Sequence, residues 1–213
     1  MTEDDRLVEA RAHYERAVFG GVADAVELGE RALDGLEADL ALARGRLLHA
    51  RFLAERKDDP RELAEFERAV HLYRELGDER GEAEALFWVG TYHQVCHDDG
   101  EAALPAHRRS YELAAATGDK LTQSYAVRHL GFADIGAGRV EEARAKLDES
   151  LRLRRELDFR PGVAAALLAL AQLDFERGEQ ELALRELDEA TEVARESGSD
   201  GVLRWIDQFR SAF

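Results

Sequence analysis

The chain has 213 residues, of which 45% are hydrophobic and 35% are charged, and it contains only 3 prolines. This balance is typical of a folded helical protein and excludes a disordered tail. Acidic residues outnumber basic residues by 45 to 29, which gives a formal net charge of -16. Because a negative field repels phosphate groups, we expect no direct nucleic-acid partner.

The N-terminus and the cysteine usage bear on location. Residues 1–5 are acidic and lead into a predicted helix, without the basic start or the apolar core of a signal peptide. Cys96 is the single cysteine, so no internal disulfide can form. No stretch approaches the length of a membrane span. We therefore expect a cytoplasmic protein that makes no membrane contact.

Apolar residues recur at helical spacing along the chain, in segments that short polar turns separate. The apolar positions are mostly Ala and Leu, which favours packing of helix on helix, and no strand is predicted. The predicted helices cover residues 4–19, 22–36, 40–56, 60–76, 80–97, 101–116, 120–136, 140–157, 161–177, 180–196 and 201–212. The predicted fold class is all-α.

The helices form an internal repeat. Leu130, Gly131, Gly138, Ala143, Leu147 and Ser150 recur forty residues later as Leu170, Ala171, Gly178, Ala183, Leu187 and Ala190. One period earlier the series continues as Val89, Gly90, Ala103, His107 and Ser110. The small residues allow paired helices to approach closely, and the leucines fill the space around them. Each repeat is therefore predicted to be a helical hairpin.

This pattern resembles the tetratricopeptide repeat, in a long form of about forty residues. The resemblance is best over 80–197 and more divergent over 4–79. It implies one solenoid domain over 1–213, an α-α superhelix of about five helical hairpins with a C-terminal capping helix over 201–212. It also implies that the first helix of each hairpin lines a concave surface. Similar arrays serve as adaptors and as regulatory parts of bacterial transcription factors.

The geometry of that family, carried over to this chain, places nine side chains in the concave groove. They are Phe87, Thr91, Gln94, Tyr125, Arg128, Phe132, Leu168, Gln172 and Phe175. Aromatic rings and an arginine supply apolar area, cation–π contacts and directional hydrogen bonds, which is the composition of binding hot spots. Glu84 lies beside them and favours positive charge in a partner. The resemblance thus implies a protein or peptide partner of basic or amphipathic character. In the alternative interpretation, the chain's own helices cover these aromatic rings.

The last predicted helix has an aromatic face, because Trp205, Phe209 and Phe213 follow one another at intervals of four. We expect this face to pack on the preceding hairpin as a cap, which leaves the protein monomeric. The alternative is a homodimer that forms through the same helix.

One cluster has the spacing of metal ligands. His93, Cys96 and His97 lie at i, i+3 and i+4 of one predicted helix, and His107 takes a core position that leucines fill in later repeats. Imidazoles one turn apart and a thiolate are ligands for zinc or copper. Histidines also satisfy one another's hydrogen bonds at helix interfaces. A metal site here and a purely structural cluster are therefore both open.

No catalytic signature accompanies these residues. Glycine-rich phosphate loops, serine-nucleophile elbows and kinase motifs are absent from the sequence. We therefore predict no cofactor and support no enzyme class. The favoured interpretation is a protein- or peptide-binding scaffold that uses the aromatic groove. The alternative is a small-molecule- or metal-binding protein, or an enzyme, that uses the histidine and cysteine cluster.

Overall fold

The computed structural model describes residues 4–211, and every regular element in that range is helical. The elements are α1 (Asp5–Val18), α2 (Ala25–Glu55), α3 (Arg61–Leu76), α4 (Glu79–Thr91), a π-helical turn (Tyr92–Cys96), α5 (Gly100–Thr117), α6 (Lys120–Gly136), α7 (Val140–Glu156), α8 (Arg160–Glu176), α9 (Gln180–Glu196) and α10 (Asp200–Arg210). The predicted all-α class is confirmed. No helix in this range combines the length and the apolar character that traversing a bilayer requires.

The chain divides into two compact units, and the boundary lies inside α5, after Ala106. In the first unit, α2 packs against α1 and α3, and α3 packs against α4. In the second unit, α6 packs against α7, α7 against α8, and α8 against α9. Short turns join these helices, so neighbours run in opposite directions as helical hairpins. The second unit therefore contains two hairpins that stack through α7 and α8.

Glycines in the left-handed conformation build the turns between helices. Gly77 and Gly118 follow α3 and α5 with φ values of 72° and 71°, a conformation that side chains with a Cβ rarely adopt. The residue after each glycine caps the next helix. Asp78 accepts a hydrogen bond from the Gly81 backbone N–H at 2.9 Å, and Asp119 accepts one from the Leu121 N–H at 3.1 Å. These paired signals explain why the sequence located the turns well.

The first part of the chain departs from the prediction. The sequence predicts two helices over 22–36 and 40–56, and this prediction is wrong because α2 runs unbroken over Ala25–Glu55. Residues 36–39 favour helix, and Gly35 has a negative φ, so it does not end the helix. The first two predicted hairpins consequently share one long helix.

The final helix covers the core of the second unit. Residues 163–171 of α8 are all buried, and α10 packs against α8 and α9. Val202 and Ile206 enter the same core, at 7% and 0% exposure. This arrangement fits the expected cap. Trp205 remains 47% exposed, and Phe213 lies outside the described residues. The homodimer alternative stays a prediction.

A close helix contact in the first unit depends on a glycine. Phe66 of α3 is 0% exposed and lies against Gly45 of α2. A Cβ atom on Gly45 would lie 2.6 Å from Cδ1 and 2.9 Å from Cζ of the Phe66 ring. Because the ring is enclosed on all sides, it has no space to move away.

We therefore expect Gly45→Ala to lower the free energy of unfolding by about 1–3 kcal/mol, the usual effect of overpacking a core. Gly35→Ala on the same helix is the matched control, since its Cβ would meet its nearest atoms at 3.9 Å. That change should raise the free energy of unfolding by up to about 1 kcal/mol through helix propensity. Urea denaturation followed by circular dichroism measures both values. Equal effects of the two variants would contradict the role assigned to Gly45.

Candidate functional site

A pocket of about 220 Å³ opens in the second unit among α6, α7, α8 and α10. We call it the arginine pocket. Its lining residues are Tyr125, Arg128, Arg154, Phe159, Pro161, Gly162, Ala165, Val202 and Trp205. The lining thus combines two cations with three aromatic rings.

Arg154 reaches the pocket from α7 and is almost fully buried, at 1% exposure. Its Nη1 donates a hydrogen bond to the Gly162 carbonyl oxygen at 2.8 Å, and its Nε donates a longer one to Ser124 Oγ at 3.4 Å. The guanidinium carbon lies 4.9 Å from the centre of the Tyr125 ring. Nη2 is buried and meets no acceptor within residues 4–211. Neutral oxygens and a ring face therefore hold this cation in place.

Arg128 approaches from α6 and is partly exposed. Its guanidinium carbon lies 4.5 Å from the centre of the Phe132 ring. Its Nε is buried and has no hydrogen-bond partner in the part of the chain that the structure describes. In the same part, no carboxylate lies within ion-pair distance of Arg128 or Arg154. Two cations therefore share the pocket without an internal counter-charge.

The surroundings of both arginines lower their pKa values. Burial, with a further contribution from the charge of Arg154, lowers the pKa of Arg128 to about 9. Burial lowers the pKa of Arg154 to about 10. Both pKa values lie above neutrality, so both side chains are positively charged at pH 7. An anion in the pocket would reduce their mutual repulsion.

Arg154 is not among the groove residues predicted from the sequence, although comparison of the repeats shows that it is unusual at its position. Forty residues before and after, the same repeat position holds Ala114 and Ala194, both of which are 0% exposed. Arg128 likewise stands where the next repeat has Leu168, which is 4% exposed. A charged side chain at a position that is apolar and buried in the other repeats points to a local function.

The structure brings two of the nine predicted groove residues into the pocket, namely Tyr125 and Arg128. Four others do not line the pocket. Phe132 packs under the Arg128 guanidinium, and Phe175 packs edge-on against Phe209 with ring centres 6.0 Å apart. Gln94 and Gln172 are partly exposed.

The structure corrects the prediction for Phe87, Thr91 and Leu168, which are core residues and present no surface to a partner. Phe87 is 3% exposed and packs edge-on against Trp88, with ring centres 5.1 Å apart. Thr91 is 3% exposed, and its hydroxyl donates to the Phe87 carbonyl oxygen at 2.9 Å. Leu168 is enclosed because α7, α9 and α10 all pack against α8.

The four predicted metal ligands lie in different surroundings. Cys96 ends the π-helical turn, whose wider i→i+5 hydrogen bonding changes the direction in which its side chain projects relative to a regular α-helix. His93 is partly exposed, and the His97 side chain is 44% exposed. His107 belongs to the second unit, where its ring centre lies 5.0 Å from that of His129.

Cys96 instead meets His49 of α2 and Glu62 of α3. Its Sγ lies 3.7 Å from Glu62 Oε1 and 4.0 Å from His49 Nδ1, and these two atoms are 2.8 Å apart. We call this group the His-Glu-Cys cluster. Within residues 4–211 it is the one set of three histidine, cysteine or carboxylate ligands close enough to share an ion. Burial and the negative charge of Glu62 raise the pKa of the Cys96 thiol to about 12, so it is not a reactive thiolate at neutral pH.

Comparison with known proteins identifies the repeat. Residues 122–196 match the family model described as tetratricopeptide repeat. Residues 122–196 consist of tetratricopeptide repeats. No curated protein matches the chain. The matched tetratricopeptide segment extends from α6 to the end of α9, so it includes Tyr125, Arg128 and Arg154, whereas Trp205 comes from the capping helix. Tetratricopeptide repeats indicate a protein-interaction scaffold.

The missing counter-charge of Arg154 has a measurable consequence for stability. Arg154→Met should raise the free energy of unfolding by about 1–3 kcal/mol, because it replaces a buried, incompletely paired cation with an apolar side chain of similar length. The measurement is urea denaturation of the purified protein at neutral pH.

Arg144 on the same helix provides the control. It pairs with Asp174, which is 0% exposed, and its Nη2 donates to Glu186 at 3.0 Å. Arg144→Met removes the nearest cation from both buried carboxylates, leaving Asp174 only the longer ion pair with Arg177 at 3.6 Å, and should lower the free energy of unfolding by about 3 kcal/mol or more. A comparable loss for Arg154→Met would show that Arg154 serves the fold and not a ligand.

Proposed function

We propose that this protein is an adaptor that holds a partner protein by an anionic group seated in the arginine pocket. The observation that carries the proposal is the pairing of Arg128 and Arg154 in one pocket, with no carboxylate of the described chain to neutralise them. Buried charges in proteins are normally paired. A partner that supplies the missing negative charge would therefore gain charge-assisted hydrogen bonds to groups that are already desolvated.

The size of the pocket favours a peptide segment over a free small molecule. Its volume of about 220 Å³ is below the roughly 300–1,000 Å³ of typical small-molecule sites. A space of this size accepts one side chain or one chain end. Anchor pockets of protein interfaces work in this way, since a few well-packed residues supply most of the binding free energy.

The aromatic wall adds an apolar component to the recognition. Tyr125 and Phe159 pack edge-on with ring centres 6.0 Å apart, and Trp205 is 47% exposed at the rim. Tryptophan and tyrosine are enriched among the residues that dominate binding. We infer that the anionic group of the partner is flanked by an apolar or aromatic side chain.

The charge of the pocket is opposite to the partner charge that the sequence suggested. Glu84 is part of the reason why the sequence predicts a basic partner, but Glu84 forms an ion pair with Arg46 in the first unit. The net charge of -16 repels acidic proteins in general. An acidic segment is therefore bound only where the two arginines overcome that repulsion, which makes the pocket selective.

Peptide-phage selection against the full-length protein tests the proposal. We expect the enriched peptides to carry Asp, Glu or a terminal carboxylate beside an aromatic or aliphatic residue. Fluorescence anisotropy of a labelled enriched peptide then measures its affinity for variants. Arg128→Met should weaken binding by about thirtyfold or more, the usual loss when one partner of a buried charge pair is removed.

Arg185→Gln is the matched control, since Arg185 lies in the same unit on α9, its side chain is 67% exposed, and the change alters net charge by the same amount. Its effect should stay within about twofold, because exposed ion pairs contribute little. The proposal is overturned if the selection enriches basic peptides, or if Arg128→Met and Arg185→Gln affect binding equally.

A further inference from the structure

Three ligands of different chemistry converge in the first unit from three separate parts of the chain. His49 comes from α2, Glu62 from the first turn of α3, and Cys96 from the end of the π-helical turn. We propose that this His-Glu-Cys cluster binds one zinc ion through His49 Nδ1, the Glu62 carboxylate and Cys96 Sγ. All three residues belong to the first unit, so this inference is independent of the arginine pocket.

The distances between the ligand atoms are close to those that zinc requires. Zinc bonds of about 2.0–2.3 Å in a tetrahedron separate the ligand atoms by about 3.3–3.6 Å. The Cys96 Sγ atom lies 3.7 Å from Glu62 Oε1 and 4.0 Å from His49 Nδ1, so each separation needs to shrink by only a few tenths of an ångström. The 2.8 Å hydrogen bond between His49 and Glu62 would open by about 0.5 Å to the same spacing.

An unsatisfied oxygen supplies an independent reason for a ligand. Glu62 is 0% exposed, and its Oε2 has no hydrogen-bond partner in the described part of the chain. Buried carboxylate oxygens are normally bonded, because burial without a partner costs free energy. His49 and Cys96 both face Oε1, so they leave Oε2 unsatisfied. A cation bound by the carboxylate would offset the charge that Glu62 carries in this buried position.

Aromatic side chains hold the imidazole in position. The His49 ring lies edge-on to Trp88 at 5.3 Å and stacks on Phe52 at 6.3 Å between ring centres. His49 is 6% exposed, so it loses little conformational freedom when it binds an ion. Such support of a ligand by its surroundings strengthens metal binding.

The choice of zinc follows from the mixture of ligands. Imidazole nitrogen, carboxylate oxygen and thiolate sulfur all bind zinc, whereas magnesium and calcium take oxygen alone. Three protein ligands leave the fourth position of the tetrahedron to water or to another molecule that binds the zinc ion. This set shares only Cys96 with the ligands that the sequence predicts, which makes His93 and His97 suitable controls.

The experiment uses full-length protein without a histidine tag, reduced and freed of metal, and titrated with Co²⁺ as a spectroscopic probe. We expect one equivalent to produce the charge-transfer absorption of a cobalt–thiolate bond, and Zn²⁺ to abolish it by displacement. Cys96→Ser should eliminate the band. His49→Gln and Glu62→Gln should weaken Co²⁺ binding by about 100-fold or more, since even the loss of supporting residues costs 10–100-fold.

His93→Gln and His97→Gln should leave the affinity for Co²⁺ within about twofold of wild type. Circular dichroism of each variant establishes that it is folded, and a rise in Tm on addition of Zn²⁺ to wild type but not to Cys96→Ser provides a second readout. The absence of a stoichiometric Co²⁺ complex in the folded wild-type protein overturns the proposal. A loss of binding in His93→Gln or His97→Gln equal to that in His49→Gln overturns it as well, because it assigns the ion to other ligands.

Discussion

The close approach of paired helices is the constraint on which the rest of this structure depends. Small residues at repeated positions, such as Ala143 and Ala183, are 0% and 1% exposed and lie between the helices of each hairpin. Leu147 and Leu187, each 1% exposed, fill the remaining space. These small residues and leucines recur in each hairpin. An unusual side chain at one repeat position therefore changes the surface of one hairpin and leaves the packing of the other hairpins intact.

Both candidate sites arise where the regular pattern is broken. Arg154 occupies a position that holds alanine in the neighbouring repeats, and it lines the arginine pocket. Cys96 ends a π-helical turn, an irregularity that is frequent at functional sites. Departures from locally favourable structure persist when function compensates for them. The two sites lie in different units and use different chemistry, so each can be tested by itself.

The buried aspartates of the second unit have cationic partners of their own, in contrast to the two arginines of the pocket. Asp174 is paired with Arg144, and Asp134 is paired with Arg139 and Lys146. These buried acids stabilise the turns and helix contacts of the second unit while their partners remain in place. Arg128 and Arg154 are left without such pairing. A strongly acidic protein thus presents a local cationic site with aromatic walls.

The sequence by itself determined the helices, most of their boundaries, the repeat and its family, because helical periodicity, glycine stops and aspartate caps are local signals. It also predicted a groove that contains Tyr125 and Arg128, which the structure places in the arginine pocket. It failed where no local signal exists. Helix-forming residues on both sides of position 36 do not show whether α2 is one helix or two. The burial of Phe87 and Leu168 depends on which helices cover them. Only the tertiary structure decided that Cys96 meets His49 and Glu62, residues 47 and 34 positions away, because such contacts depend on how helices pack and on the widened turn that redirects the thiol.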